Sequence, residues 1–334
     1  MAEPLVQAAL APAREQPSRR YVLAAAGLAF SAVLTWLAIR SVDPHAFFVS
    51  FRESVLWYLV PAGAALVAAV LVRWVRWWLL FAAGRRPPLA AVGRAFLIGY
   101  LFNSLLPARP GELARAVALK REARTPVVEA LATTAAERVY DVLALVVLLL
   151  ASAPFLPESH EVRTITFVAG GLTAAALVAV LVLGRSRARL ERLLSRIPAV
   201  SDEAARRSAA SILTGLVSLR DRRLAAVAAL LTAASWLLLA VSAWALLLAF
   251  HLRLGLGVAI LIVAAANLTL LVPASPGGVG VFEAATVAVL AGFAVDRSTA
   301  LSFAVALHGL NLFPYVVAGA LALQRHLAVV RSRS

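Results

Sequence analysis

Three ionisable residues, Glu137, Arg138 and Asp141, fall inside an apolar run that extends from about residue 126 to 153. Thr125 and Pro126 suit the start of that run, as helix cap and first helical residue. At 1.5 Å per residue, Glu137 lies about 16 Å and Asp141 about 22 Å beyond Pro126, near the middle of a bilayer. A lone Arg or Asp at that depth costs roughly 2.5–3.5 kcal/mol, so the group needs partners. Arg138 and Asp141, three apart, can meet on one face; Glu137 and Asp141, four apart, repel if both are ionised. Glu137 therefore takes a partner from elsewhere, such as Arg109 or Arg115, or is held protonated by burial. Two uses fit: a structural ion-pair lock, or a substrate pathway in which the arginines neutralise a phosphate and the carboxylates balance charge or carry protons.

Asn103 to Arg115 reads NSLLPARPGELAR, and Asn267 to Glu283 reads NLTLLVPASPGGVGVFE. Pro107-Ala108-Arg109-Pro110-Gly111 returns as Pro273-Ala274-Ser275-Pro276-Gly277, each time breaking a hydrophobic run. A helix is expected to restart at Gly111-Glu112 and again after Gly277-Gly278-Val279-Gly280. Exposed N–H groups at such starts can hold a phosphate or carboxylate; alternatively Glu112 and Glu283 cap them. Gly278-Val279-Gly280 lacks the third glycine and preceding strand of a dinucleotide fingerprint, and no Gly-Lys-Ser/Thr follows, which excludes a P-loop. His308, Asn311 and Pro314 lie in the last apolar run, where a packing role competes with a pathway role. Trp74, Trp77 and Trp78, with Arg73 and Arg76, are expected to form an aromatic and cationic belt at a membrane interface. His45, His160 and His251 show no metal-ligand spacing, and no nucleophile elbow or His-Glu-x-x-His helix appears. No catalytic residue, metal or cofactor is expected.

These residues need a scaffold, and the composition names its solvent. Hydrophobic residues make up 62% of the 334 and charged residues 15%, against about 45–50% and about 25% in a soluble domain. The chain reads as an integral membrane protein. The net charge of +15 comes from arginines flanking apolar spans, with no nucleic-acid motif and no nucleic-acid partner expected. Lys120 is the one lysine, and with no Cys there is no disulfide framework or thiolate chemistry.

Apolar runs fall at about 21–39, 55–80, 87–107, 126–153, 162–184, 224–250, 254–274, 279–294 and 298–323. The run at 21–39 is long enough to cross a bilayer and is read as an uncleaved first helix. Placing 26 of the 32 basic residues on the cytoplasmic side fixes the orientation. It also gives the run 87–107 basic residues on both sides, which a re-entrant hairpin satisfies and a simple span does not. The run 254–274 starts outside, breaks at Pro273 to Gly278, and returns to Asp296-Arg297; three ordinary spans over 254–323 are the alternative. The expected fold is an all-α polytopic membrane protein of two inverted-topology halves. It has about six full spans plus two re-entrant helical hairpins broken at Pro-Gly motifs, with both termini cytoplasmic. Residues 1–20 form a cytoplasmic tail and 21–323 a single transmembrane domain, with halves at 21–155 and 162–323; 324–334 form a second tail. The basic connector 185–223 suits a helix on anionic inner-leaflet lipid, with Leu190, Leu193, Leu194 and Ile197 on one face, or a solvated linker.

With Asn103, Pro107 to Arg115, Glu137-Arg138-Val139-Tyr140-Asp141 and Pro273 to Glu283 in that order, the chain resembles a known group. It is the flippase-like integral membrane family related to the transmembrane region of lysylphosphatidylglycerol synthase, and the likeness runs from about Tyr21 to Leu323. The resemblance implies movement of an anionic lipid, a phospholipid or a polyprenyl-phosphate-linked glycan, between leaflets of the cytoplasmic (inner) membrane. The synthases carry a soluble aminoacyl-transfer domain after the membrane part, and this sequence stops at Ser334. Aminoacylation of lipid by this chain alone is therefore not expected, and with the transporter reading the chain is expected not to be an enzyme. The expected pathway residues are Asn103, Arg109, Gly111, Glu112, Arg115, Glu137, Arg138, Asp141, Pro273, Pro276, Gly277, Gly278, Gly280, Glu283, His308 and Asn311. The expected partners are a membrane lipid as substrate and anionic inner-leaflet lipid, with a homo-oligomer compatible. A membrane-embedded glycosyltransferase or other lipid-modifying enzyme is one alternative, and a non-transporting partner subunit another.

Overall fold

The computed structural model describes residues 42–106, 110–152, 221–269 and 275–332, with Gly171 and part of 32–40. The expectations for residues 1–20, for most of the runs at 21–39 and 162–184, and for most of the connector 185–223 lie outside the described residues, as do Arg109 and Pro273. Within them the chain is helical and holds no strand. The helices are α1 (Pro44–Arg52), α2 (Leu59–Leu80), α3 (Leu89–Leu105), α4 (Gly111–Ala123), α5 (Val127–Ala151), α6 (Arg222–Ala249), α7 (Leu256–Thr269), α8 (Val281–Ala291) and α9 (Arg297–Arg331).

Local chemistry sets the ends. Asp221 accepts from the N–H groups of Arg223 and Leu224, and Asp296 from those of Ser298 and Thr299, so α6 and α9 each open on a side-chain cap. Arg124 closes α4 in the left-handed conformation (φ 57°). The last helix continues past the apolar run that ends near residue 323, reaching Arg331.

Lengths decide what crosses. The stretches Leu56–Leu80, Arg222–Ala249 and Arg297–Arg331 are long and apolar enough to span a membrane. Large apolar side chains such as Leu230 and Phe313 face outward at 69% and 70% exposure, which suits lipid rather than water. The protein is a helical membrane protein. With 25 residues, α5 has the length of a span but carries the ionic residues. By contrast α3, α7 and α8 have 17, 14 and 11 residues, about 26, 21 and 17 Å of helix, short of a hydrocarbon core of about 30 Å. Consecutive short helices pack on each other across a break, α3 on α4 and α7 on α8.

Two apolar clusters result. Trp77, Phe81, Phe96 and Leu119 knit α2 to α3 and α4, while Leu246, Ile262, Leu290 and Phe303 knit α6 to α7, α8 and α9. Bare backbone permits the tightest approaches. A Cβ on Gly111 would collide with the Gly99 carbonyl oxygen, and one on Gly319 would lie 2.7 Å from Leu101 Cβ and the Leu97 carbonyl oxygen. So α3 is gripped by α4 on one side and by α9 on another.

Candidate functional site

The two breaks meet. Gly277, in the 3-10 turn Pro276–Gly278 with φ 63°, approaches the end of α3 so closely that a Cβ there would lie 3.2 Å from the Ser104 carbonyl oxygen. Beside this junction is a cavity of about 180 Å³, walled by α2, α3, α5, α6, α7, α8 and α9 and by the second break. Its polar lining includes Arg73, Tyr100, Asn103, Arg138, Asp141 and His308. That is room for about ten water-sized groups, the scale of a lipid head group.

Under the cavity runs an ion network. Arg76 is fully buried and lies between two carboxylates, donating to Asp141 at 2.7 and 3.2 Å, to Glu137 at 2.9 Å, and to Thr232 Oγ1 at 2.7 Å. Arg115 donates to the other oxygen of Glu137 at 2.8 Å and stacks over Trp77 at 4.5 Å. Trp236 Nε1 donates to Asp141 at 3.2 Å. Each carboxylate thus holds a guanidinium with further donors around it, the condition under which buried ions are tolerated. Arg138 does not meet Asp141. It reaches across to Glu112 at 2.6 Å, a half-exposed pair between α5 and α4.

The second break is built differently. Gly280 (φ 85°) starts α8, and Glu283 Oε2 accepts from its N–H at 2.7 Å, a capping arrangement. The other oxygen, Oε1, lies 2.6 Å from His308 Nδ1, and His308 Nε2 lies 3.1 Å from the Gly277 carbonyl oxygen. A carbonyl only accepts, so Nε2 carries a proton. A 2.6 Å contact between Nδ1 and a carboxyl oxygen also needs a proton between them. The Glu283–His308 pair is therefore neutral in sum, and Phe282 stacks on the imidazole at 4.6 Å.

The expected pathway residues thus divide. Asn103, Arg138, Asp141, Gly277, Gly278, His308 and Asn311 line the cavity. Glu112, Arg115 and Glu137 back it through ion pairs, while Pro276, Gly280 and Glu283 shape the second break. The amides proposed as anion donors are partly spent: Gly111 N–H goes to Asn103 Oδ1 at 2.8 Å and Gly280 N–H to Glu283. Asn311 donates to the Leu307 carbonyl of its own helix.

The interface belt needs correction. Trp77 and Arg76 are fully buried and Arg73 is 7% exposed, because α2 turns that face into the bundle, towards the carboxylates of α5. Trp74 and Trp78 donate instead to the carbonyls of Leu89 and Pro87. Sequence reasoning thus missed Arg73 and Arg76 as site residues, and with them Tyr100, Trp236 and Tyr315. A signal existed for the first two: a pair of arginines three apart inside an apolar run, in a chain whose Glu137 and Asp141 lacked cations.

Comparison with known proteins adds the family. The profile for the lysylphosphatidylglycerol synthase transmembrane region matches residues 24–319. A protein of Haloferax volcanii named Glycosyltransferase AglD is 30% identical over 90% of this chain, and the chain spans 54% of that relative's length. The expectation that the chain is not an enzyme is overturned by these names, one a glycosyltransferase and the other the membrane region of a synthase.

Proposed function

The chain belongs to the family of the lysylphosphatidylglycerol synthase transmembrane region, and from that membership we propose that it is the membrane-embedded part of a lipid-modifying enzyme of the glycosyltransferase type. In this reading the cavity holds the phosphate-bearing head of a membrane lipid while its tails stay in the bilayer. Arg73 and Arg138 face the phosphate, and the Glu283–His308 pair supplies a proton-exchanging group on the opposite wall. The observation that carries the reading is a polar cavity lined by arginine between helices whose outward faces are apolar. The name of the Haloferax relative supports the glycosyl-transfer class.

The same reading includes the topology. Two inverted halves, each with a broken hairpin, enter from opposite faces of the cytoplasmic membrane, with both termini in the cytoplasm. The short lengths of α3, α7 and α8 support re-entrant hairpins over ordinary spans. Passage of the lipid between leaflets is a second activity of the same cavity, favoured by walls drawn from both halves. Anionic inner-leaflet lipid and a second copy of the chain remain the proposed partners.

The test is reconstitution of the full-length protein in liposomes with polyprenyl phosphate, or with phosphatidylglycerol, and radiolabelled activated sugars. Labelled lipid that is lost with Arg138→Ala is the expected result. A parallel arm follows bleaching of fluorescent lipid by an impermeant reductant. No labelled lipid in the presence of both acceptors ends the enzymatic reading, and bleaching limited to the outer leaflet ends the translocation reading.

A further inference from the structure

The sequence holds three asparagines, Asn103, Asn267 and Asn311, and all three line the cavity. They arrive on three different helices, α3, α7 and α9, and the first two open the two repeated stretches. Each has one end of its amide tied down. Gly111 N–H donates to Asn103 Oδ1, Asn267 Nδ2 to the Val263 carbonyl and Asn311 Nδ2 to the Leu307 carbonyl, each at 2.8 Å. These partners fix which amide atom is oxygen and which is nitrogen, because an N–H needs an acceptor and a carbonyl needs a donor. The ends left over are one donor, Asn103 Nδ2, and two acceptors, Asn267 Oδ1 and Asn311 Oδ1, none of them with a partner among the described residues.

An amide held at one end cannot turn to satisfy the other, so the three free ends form a fixed pattern, and burying them unmatched is unfavourable. We infer that the asparagines are the specificity-determining residues of the cavity, and that they read a neutral polyol: adjacent hydroxyls of a glycerol or sugar head group carried on a lipid. A hydroxyl both donates and accepts, so a pair of them answers two acceptors and one donor together. An ammonium only donates and leaves Asn103 unanswered, and Arg73 and Arg138, which line the same cavity, repel it. A carboxylate or phosphate only accepts, which leaves Asn267 and Asn311 unanswered. Water can serve these positions, and a hydroxyl replaces it bond for bond where a methylene does not. This inference rests on the lipid-binding reading above and adds the neutral part of the head group, with the residues that read it.

Thermal unfolding of the purified full-length protein in detergent, titrated with lipid, reads the site because a ligand of the folded state raises its stability. The probes are dioleoylphosphatidylglycerol and dioleoylphosphatidylpropanol, which carry the same phosphodiester charge and differ only in the head-group hydroxyls. Phosphatidylglycerol is expected to bind about tenfold tighter. Asn267→Leu combined with Asn311→Leu keeps side-chain bulk and favours the helix. It is expected to abolish that preference and to leave phosphatidylpropanol bound as before. Equal binding of the two lipids by the unmodified protein overturns the inference. So does a double variant that keeps the preference, or one that weakens both lipids equally, the mark of a merely structural role. If the double variant does not fold, Asn311→Leu alone decides: the preference is expected to fall about threefold, and an unchanged preference overturns the inference. Uridine diphosphate glucose offers sugar hydroxyls from a soluble source. Protection by it and not by phosphatidylglycerol, lost in the double variant, overturns the lipid as their carrier. The two readings fail separately. Glycolipid formed by the double variant at the unmodified rate removes this subsite alone; hydroxyl-dependent lipid binding with no product removes the enzymatic reading alone.

Discussion

The two pairs of short helices, α3 with α4 and α7 with α8, share a backbone plan and differ in chemistry. In the first, α4 and α2 are locked to α5 by Arg76, Arg115, Glu137 and Asp141, all buried. In the second, α7 and α8 sit in an apolar cluster rich in Leu, Ile, Val, Ala and Phe, and among the described residues the pairing of ionisable side chains there is Glu283–His308. The repeated Pro-x-x-Pro-Gly motif thus specifies where a helix stops and restarts. What the break is used for depends on the helices packed behind it. The first break carries the charge, and the second offers a largely apolar wall with one proton-sharing pair.

The largest test of that contrast is Arg76→Ala. It leaves Glu137 with Arg115 alone and strips Asp141 of its guanidinium, and a broken buried pair costs about 3–5 kcal/mol. Equilibrium unfolding in detergent measures it, and Arg76→Ala combined with Asp141→Asn should recover part of the loss. In the second half, His308→Phe keeps a ring against Phe282 but takes the proton from Glu283. The expected loss is about 1–3 kcal/mol, the cost of an unsatisfied buried acceptor, and an effect as large as that of Arg76→Ala would break the comparison. Gly277→Ala forces a side chain into a left-handed conformation (φ 63°) near Ser104, costing about 1–2 kcal/mol; a neutral result would mean that the second break is not held against α3. Arg85→Ala removes a guanidinium 58% exposed at its side chain from Glu129, and should change stability by less than about 1 kcal/mol. Together these sharpen the claim that a buried network of full charges at the first break, against one proton-sharing pair at the second, separates the two.

How much of this was legible in the sequence follows from where each signal lives. Glu137, Arg138 and Asp141 stood out because ions in an apolar run are expensive, and the burial of Glu137 and Asp141 agrees with that argument. The breaks were legible because Pro and Gly act through the backbone, which needs no knowledge of neighbours. Pairing was not. Arg138 chooses Glu112 on another helix over Asp141 one turn away, and no spacing rule contains that choice. Arg73 and Arg76 were misplaced for a related reason: a cluster of Trp and Arg reads the same whether it faces head groups or carboxylates. Rotation of α2 about its own axis decides which, and that rotation is set by packing against α6 and α5.

The reach of α9 has a mechanical corollary. Its 35 residues make a rod of about 52 Å, stiff except where Pro314 interrupts its hydrogen bonding. Near one end His308 engages the turn at Gly277; five turns on, His326 bonds Glu122 at 2.9 Å, the same carboxylate that Arg94 clamps. A sliding displacement of this rod by even a fraction of a turn would disengage both imidazoles at once, so occupancy at the cavity is coupled to the seating of α4 through a single tie-bar.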